Sequence, residues 1–226
     1  MAFSFTDQYA TVPSTSMPAT FLNGFTAIIV TRRAAPTGTP YAWGHLDSGA
    51  AARWRLGFFS DAFFISHPAG GYPASGFAQA TTLTTVADGW VAVAFTHPGG
   101  VASPGRFHKF VFETGLWTHE VGVGGTVQSL LSDSSGSFVG GRFLSGVAGN
   151  AANGDYAFMA VYPSEATDAA LESMVTTSTL LARQNVSAIL FDGATIIDLA
   201  SGAVPSAVNG TVSSASVPLP YEATTL

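Results

Sequence analysis

Between Ala87 and Phe95 the chain reads ADGWVAVAF: an Asp-Gly turn, a tryptophan, then an almost unbroken apolar run. A strand with one face in water alternates apolar and polar residues, so a strand apolar on both faces must be covered on both. In an extended chain Trp90, Ala92 and Ala94 share one side, and Val91, Val93 and Phe95 share the other. The larger set calls for an opposing sheet. The set containing Ala92 and Ala94 is small, and leaves room for a loop, a helix or a partner chain to lie close.

Similar runs recur along the chain between Gly, Pro and Asp turn signals. They are FTAIIVTRR (25–33), RWRLGFF (53–59), FAQATTLTTV (77–86), HKFVFETG (108–115), LWTHEVGV (116–123), SLLSD (129–133), SFVGGRF (137–143) and DYAFMAVYP (155–163). In the fourth of these, Phe110 and Phe112 fall on one face. Strands at this spacing predict an all-β sandwich or barrel.

A single stretch, Ser164 to Leu181, has helical character. Thr167 is placed to cap it, Asp168 stands in the first turn where the helix dipole favours an anion, and Leu171, Met174 and Val175 form an apolar stripe. The last forty-odd residues return to short strands and turns, and Pro218 and Pro220 suit an extended edge. No internal repeat or low-complexity linker divides the chain, so one domain over 1–226 is expected, with 185–226 as a C-terminal strand or arm.

Composition narrows the function. Of 226 residues 47% are hydrophobic and 10% charged, which excludes a disordered chain and permits a large core. The net charge is −6, and no basic cluster exceeds Arg32–Arg33, so nucleic acid is not an expected partner. There is no cysteine. The opening MAFSFTDQYATVP lacks the basic-then-apolar pattern of a secretory signal, and no apolar run reaches membrane-spanning length. A soluble protein made in a cytoplasm, without membrane insertion, is the expectation.

The order of the pieces resembles the laminin-G-like, concanavalin-A-like jelly-roll family. FSFTDQYATVP and GFTAIIVTRR stand where such domains carry "sFdgtddYvtvp" and "ftisaWv". ADGWVAVAF matches "dgWhhvAvt", KFVFETG matches a strand ending in a turn glycine, and SFVGGRF matches "l.iGgr". GDYAFMAVYPSEATDAALESM fits the closing strand and short helix. The likeness covers Phe3 to Val175. It departs at the family's usual first segment, whose counterpart here is LFDGATIIDLASGAVPSAVNGT (190–211), as though the C-terminus delivered that strand, to this sheet or to a neighbouring subunit's. The resemblance implies a two-sheet antiparallel jelly-roll sandwich with one short helix near 164–181.

Catalytic patterns are absent. Glycan hydrolases of this shape carry E-x-D-x-x-E on one strand, and none of Glu113, Glu120, Glu165, Glu172 or Glu222 begins it. No enzymatic activity is expected. His45, His67, His97, His108 and His119 form no H-x-x-x-H or H-E-x-x-H pair, and are expected in loops and on the surface, His67 and His97 at turns before proline. No phosphate loop, nucleophile elbow or EF-hand spacing is present. Asn185 and Asn209 match the glycosylation pattern, which means little without a secretory signal. The resemblance allows Ca²⁺ at a rim of loops, with Asp47, Asp61 and Asp155 as candidates, although turn capping is the favoured role for each.

Aromatic residues in or near loops and strand ends offer a sugar-stacking surface: Tyr41, Trp43, His45, Tyr72 and Trp117, with Trp54 and His119 nearby. PYAWGH (40–45) is the favoured stretch, while Trp54 and Trp90 are expected in the core. Domains of this type with such tails occur among phage virion proteins. The resemblance therefore implies a virion structural protein that decorates or stabilises a capsid or tail, with other virion subunits as oligomeric partners. The alternative is a lectin-like carbohydrate-binding module for a host surface glycan.

Overall fold

The structure, a computed structural model, describes residues 3–12, 24–33, 41–46, 52–66, 77–99, 103–125, 136–139, 142–144, 147–149, 154–176, 187–192, 195–198 and 207–212. The strands are β1 (Phe3–Val12), β2 (Phe25–Arg33), β3 (Tyr41–Leu46), β4 (Ala52–Phe59), β5 (Ala62–Ser66), β6 (Phe77–Gln79), β7 (Trp90–His97), β8 (Arg106–Val111) and β9 (Leu116–Val121). There follow β10 (Gly136–Val139), β11 (Arg142–Leu144), β12 (Val147–Gly149) and β13 (Gly154–Tyr162). The helix α1 (Asp168–Thr176) comes next, then β14 (Ser187–Asp192), β15 (Thr195–Asp198) and β16 (Ala207–Val212).

Hydrogen bonding runs in the order β6-β5-β4-β3-β10-β1-β13-β2-β7-β8-β9, and the two ends of this path meet through a bridge between Gln79 and Val123. The path doubles over into two antiparallel sheets packed face to face. β1 belongs to both: its first residues pair with β13 and its last with β10. The C-terminal strands extend the same network. β14 lies on β13, β15 on β14, and β16 on β1.

The inner core is built from alternate residues of each layer. Phe25, Ala27, Ile29, Val91, Val93, Phe95, Phe107, Met159 and Val161 meet Leu56, Phe58, Phe63, Ile65, Ala78 and Leu83 across the sandwich, all of them buried. Alternation slips on β13. A bulge lies between Tyr156 and Phe158, so Ala157 and Phe158 both face outward before Met159 returns to the core.

The other face of β7 is also covered. Ile28, Val30, Trp90, Ala92, Ala94, Phe110, Phe158 and Ala160 form a second buried cluster with Leu171, Met174 and Val175 of α1. This is why the run after Gly89 is apolar on both sides: the small methyls of Ala92 and Ala94 let a helix lie against the sheet. Full burial of each α1 anchor is worth roughly 1.5–3 kcal/mol. Thr167 caps the helix: its Oγ1 accepts from the Ala170 amide at 3.2 Å. On the sheet side Thr26 Oγ1 donates to the Ser164 carbonyl and accepts from the Ala166 amide, both at 2.8 Å, fixing the approach to the helix. The expected helix runs to Leu181; residues 177–181 lie outside those described.

One strand is much shorter than its sequence suggests. FAQATTLTTV forms a strand only at Phe77–Gln79. Carboxylates take over the amides that would have paired with a neighbour. Glu120 accepts from the backbone N–H groups of Thr81 and Thr82, and Asp61 from those of Thr85 (3.0 Å) and Val86 (3.1 Å). SLLSD lies outside the described residues.

Candidate functional site

The outer face of the β2-β7-β8-β9 sheet changes character along the strands. Register places Val30, Ala92, Phe110 and Trp117 side by side in one row. The next row holds Ile28, Ala94, His108 and His119, and the one after it Thr26, Thr96, Arg106 and Val121. The first row is apolar and the last mostly polar. α1 crosses above, its apolar side on the hydrophobic rows and Asp168 and Glu172 over the polar ones.

His108 is fully buried in mid-strand, with Nε2 3.0 Å from Thr96 Oγ1 and Nδ1 2.7 Å from His119 Nδ1. His119 Nε2 reaches Glu172 Oε1 at 3.2 Å. A carboxylate can only accept, so that nitrogen carries the hydrogen of this bond. Burial, reinforced by the nearby His119 and Arg106, pushes the His108 pKa down to about 4 against a partial opposing pull from Asp168. The His108 ring is therefore neutral near pH 7. Arg106 donates to Asp168 Oδ2 at 2.7 Å, while Asp168 Oδ1 lies 3.8 Å from His108 Nδ1.

Beside this cluster opens a cleft of about 450 Å³, lined by Thr96, Arg106, Glu165, Ala166, Thr167 and Asp168 among others. Trp117 stands at the other end of the polar strip, half-buried. Its ring is tilted on Phe110 at 5.0 Å and nearly parallel to His119 at 5.6 Å. Four residues of β9 separate it from the row of Arg106, about 14 Å along the strand.

The aromatic candidates fall in different places. Trp117 is the second residue of β9, at a strand end as expected, and His119 lies in mid-strand. Tyr41, Trp43 and His45 belong to β3, between β10 and β4; only their backbone is described. Tyr72 and the side chain of Trp54 lie outside the described residues, whereas Trp90 is in the core as expected, 8% exposed. Among the calcium candidates, Asp47 is outside the described residues. Asp61 binds the buried Arg33 at 2.6 Å, and Asp155 binds Arg32 at 2.6 Å, so both carboxylates hold arginines.

The histidines lie deeper than their sequence context predicts. His97 ends β7 fully buried, its ring stacked on Phe25 and its Nδ1 accepting from the Gly99 amide at 3.0 Å. His108 is buried and His119 half-buried, while His67 and the side chain of His45 lie outside the described residues. No helical or short-range spacing links His108 and His119 in the sequence. The usable signal was the turn. A four-residue loop centred on Glu113–Thr114 sets residue 108 directly opposite 119.

No protein-family model matches the chain, and no curated protein does. Solved structures match in fold. A Bacteroides ovatus protein whose name suggests carbohydrate binding aligns with a TM-score of 0.64 at 14% identity, over 96% of this chain and 60% of that one. The chain thus spans about three-fifths of that protein. The CBM40 module of the Ruminococcus gnavus IT-sialidase, bound to α2,3-sialyllactose, aligns at 0.50 and 12% identity over 76% of this chain and 95% of the module. A mutant of the NanB sialidase of Streptococcus pneumoniae aligns at 0.52 and 10% identity over 76% of this chain and 27% of the enzyme. At these identities the likeness is one of fold, a concanavalin-A-like jelly roll.

Proposed function

We propose that this chain is a single-domain carbohydrate-binding module without catalytic activity of its own, recognising a surface glycan through the outer face of its helix-covered sheet. One observation carries the reading: the half-buried indole of Trp117 continues into a polar strip that ends at the Arg106–Asp168 cleft. An aromatic plane with hydrogen-bonding groups alongside is what a sugar ring needs, one apolar face to stack and hydroxyls to satisfy. The carbohydrate-binding names among the structures of like fold support the same choice. The absence of activity is supported by the work the carboxylates already do. Asp61, Asp88, Asp155 and Asp168 each hold a cationic side chain, and Glu120 holds backbone amides. The virion role rests on the sequence resemblance alone, and none of the structures named above adds to it.

A glycan array probed with the purified chain tests this reading. We expect selective binding that Trp117→Ala reduces at least tenfold. Uniform silence on the array, with and without added divalent cations, would overturn it.

A further inference from the structure

We propose that His108, His119 and Asp168 form a binding site for a divalent transition-metal ion that ties α1 to the β8–β9 hairpin. Each offers one possible ligand atom, the three atoms lie within 4.8 Å of one another, and they come from three separate elements. A tetrahedral ion with bonds near 2.0 Å needs ligand atoms about 3.3 Å apart. The imidazole nitrogens at 2.7 Å would part slightly and the carboxylate oxygen at 3.8 Å would close by a similar amount.

The surrounding hydrogen bonds are those that orient metal-binding histidines. Each ring has its outer nitrogen against an oxygen: His119 Nε2 on Glu172, and His108 Nε2 on the Thr96 hydroxyl. When both outer nitrogens carry hydrogens, two lone pairs point at each other, and a cation between them removes the repulsion. Without metal, a hydrogen on His108 Nδ1 fills that gap and the Thr96 hydroxyl donates to Nε2. Metal entry shifts this hydrogen to Nε2 and turns the hydroxyl into an acceptor, so the neutral ring neither gains nor loses a proton. Arg106 opposes a cation, but it occupies Oδ2 of Asp168 and leaves Oδ1 to the site. Two imidazoles and one carboxylate suit Zn²⁺ or Co²⁺; Ca²⁺ takes oxygen ligands. A water molecule on the side facing the cleft would complete the coordination.

The test uses the full chain, chelator-treated and free of any oligohistidine tag, titrated calorimetrically with Zn²⁺, with Co²⁺ as a spectroscopic probe. One ion per chain and visible Co²⁺ bands of tetrahedral type are expected. His119→Ala, at a half-buried position, should weaken binding about 100-fold or more, and Asp168→Asn should act in the same direction. Glu172→Gln should cost about 10–100-fold through the orientation of His119. Circular dichroism establishes that each variant is folded. Failure of the parent chain to bind, or equal affinity in the folded His119→Ala and Asp168→Asn variants, would overturn the assignment. Both outcomes are independent of any glycan.

Discussion

His108 and His119 face each other across the β8–β9 hairpin with their Nδ1 atoms 2.7 Å apart, one ring fully buried and the other half-buried. A buried neutral imidazole couples folding to pH. The unfolded chain takes up a proton near pH 6.5, whereas native His108 resists protonation down to about 4. Between these values the unfolded state binds more protons, so stability falls as the solution is acidified; above pH 6.5 this contribution is flat. The loss amounts to about 3 kcal/mol. Denaturant unfolding in chelator at pH 7 and pH 4.5 should show it, and His108→Asn should remove most of the difference. Identical pH slopes in the two proteins would mean that His108 is not the group responsible.

Leu171 is fully buried between α1 and the sheet. Leu171→Ala should destabilise the protein by about 2–5 kcal/mol, the range for truncating a core leucine. Urea unfolding followed by tryptophan fluorescence and far-UV circular dichroism measures it directly. A change below half a kcal/mol would mean that the helix is not docked.

Ala94 gives the converse case. It sits in register between Ile28 and His108, 1% exposed beneath the helix. Ala94→Leu should cost about 1–3 kcal/mol by overpacking, although it raises hydrophobicity. A more stable variant would refute the account of the small residues in β7.

Asp61 turns the β4–β5 hairpin at a φ of 76°, and its carboxylate holds Arg33, whose side chain has no exposed surface. Asp61→Ala should cost about 3–5 kcal/mol, because it takes the carboxylate away from a buried guanidinium and introduces a residue that dislikes the left-handed region. The Arg33→Met, Asp61→Ala double variant should recover part of that loss, since the guanidinium, already disfavoured by burial, is gone. A double variant no more stable than the single would locate the cost in the turn instead.

Local patterns transmitted the fold well. The two-sided apolar run of β7 required a cover for each face, and both covers exist. Thr167, Leu171, Met174 and Val175 marked the helix and its buried side, because capping and helical spacing are properties of adjacent residues. Prediction failed where a distant side chain decided the outcome. The threonines after Gln79 have strand propensity, yet Glu120 and Asp61, remote in sequence, claim their amides. Of the candidate site, the sequence reading named only the edge, Trp117 and His119. His108 joins His119 through hairpin register, and Asp168 and Glu172 reach them across more than fifty intervening positions.

The most direct test of the central claim, that the outer face beside α1 is the recognition surface, is to follow the indole N–H resonances of Trp43, Trp54, Trp90 and Trp117 while the glycan selected on the array is titrated in. Trp117 should shift progressively with the carbohydrate while Trp90 stays fixed in the core. A titration in which Trp43 or Trp54 moves and Trp117 does not would contradict the claim and place recognition on the β3–β4 side of the sandwich.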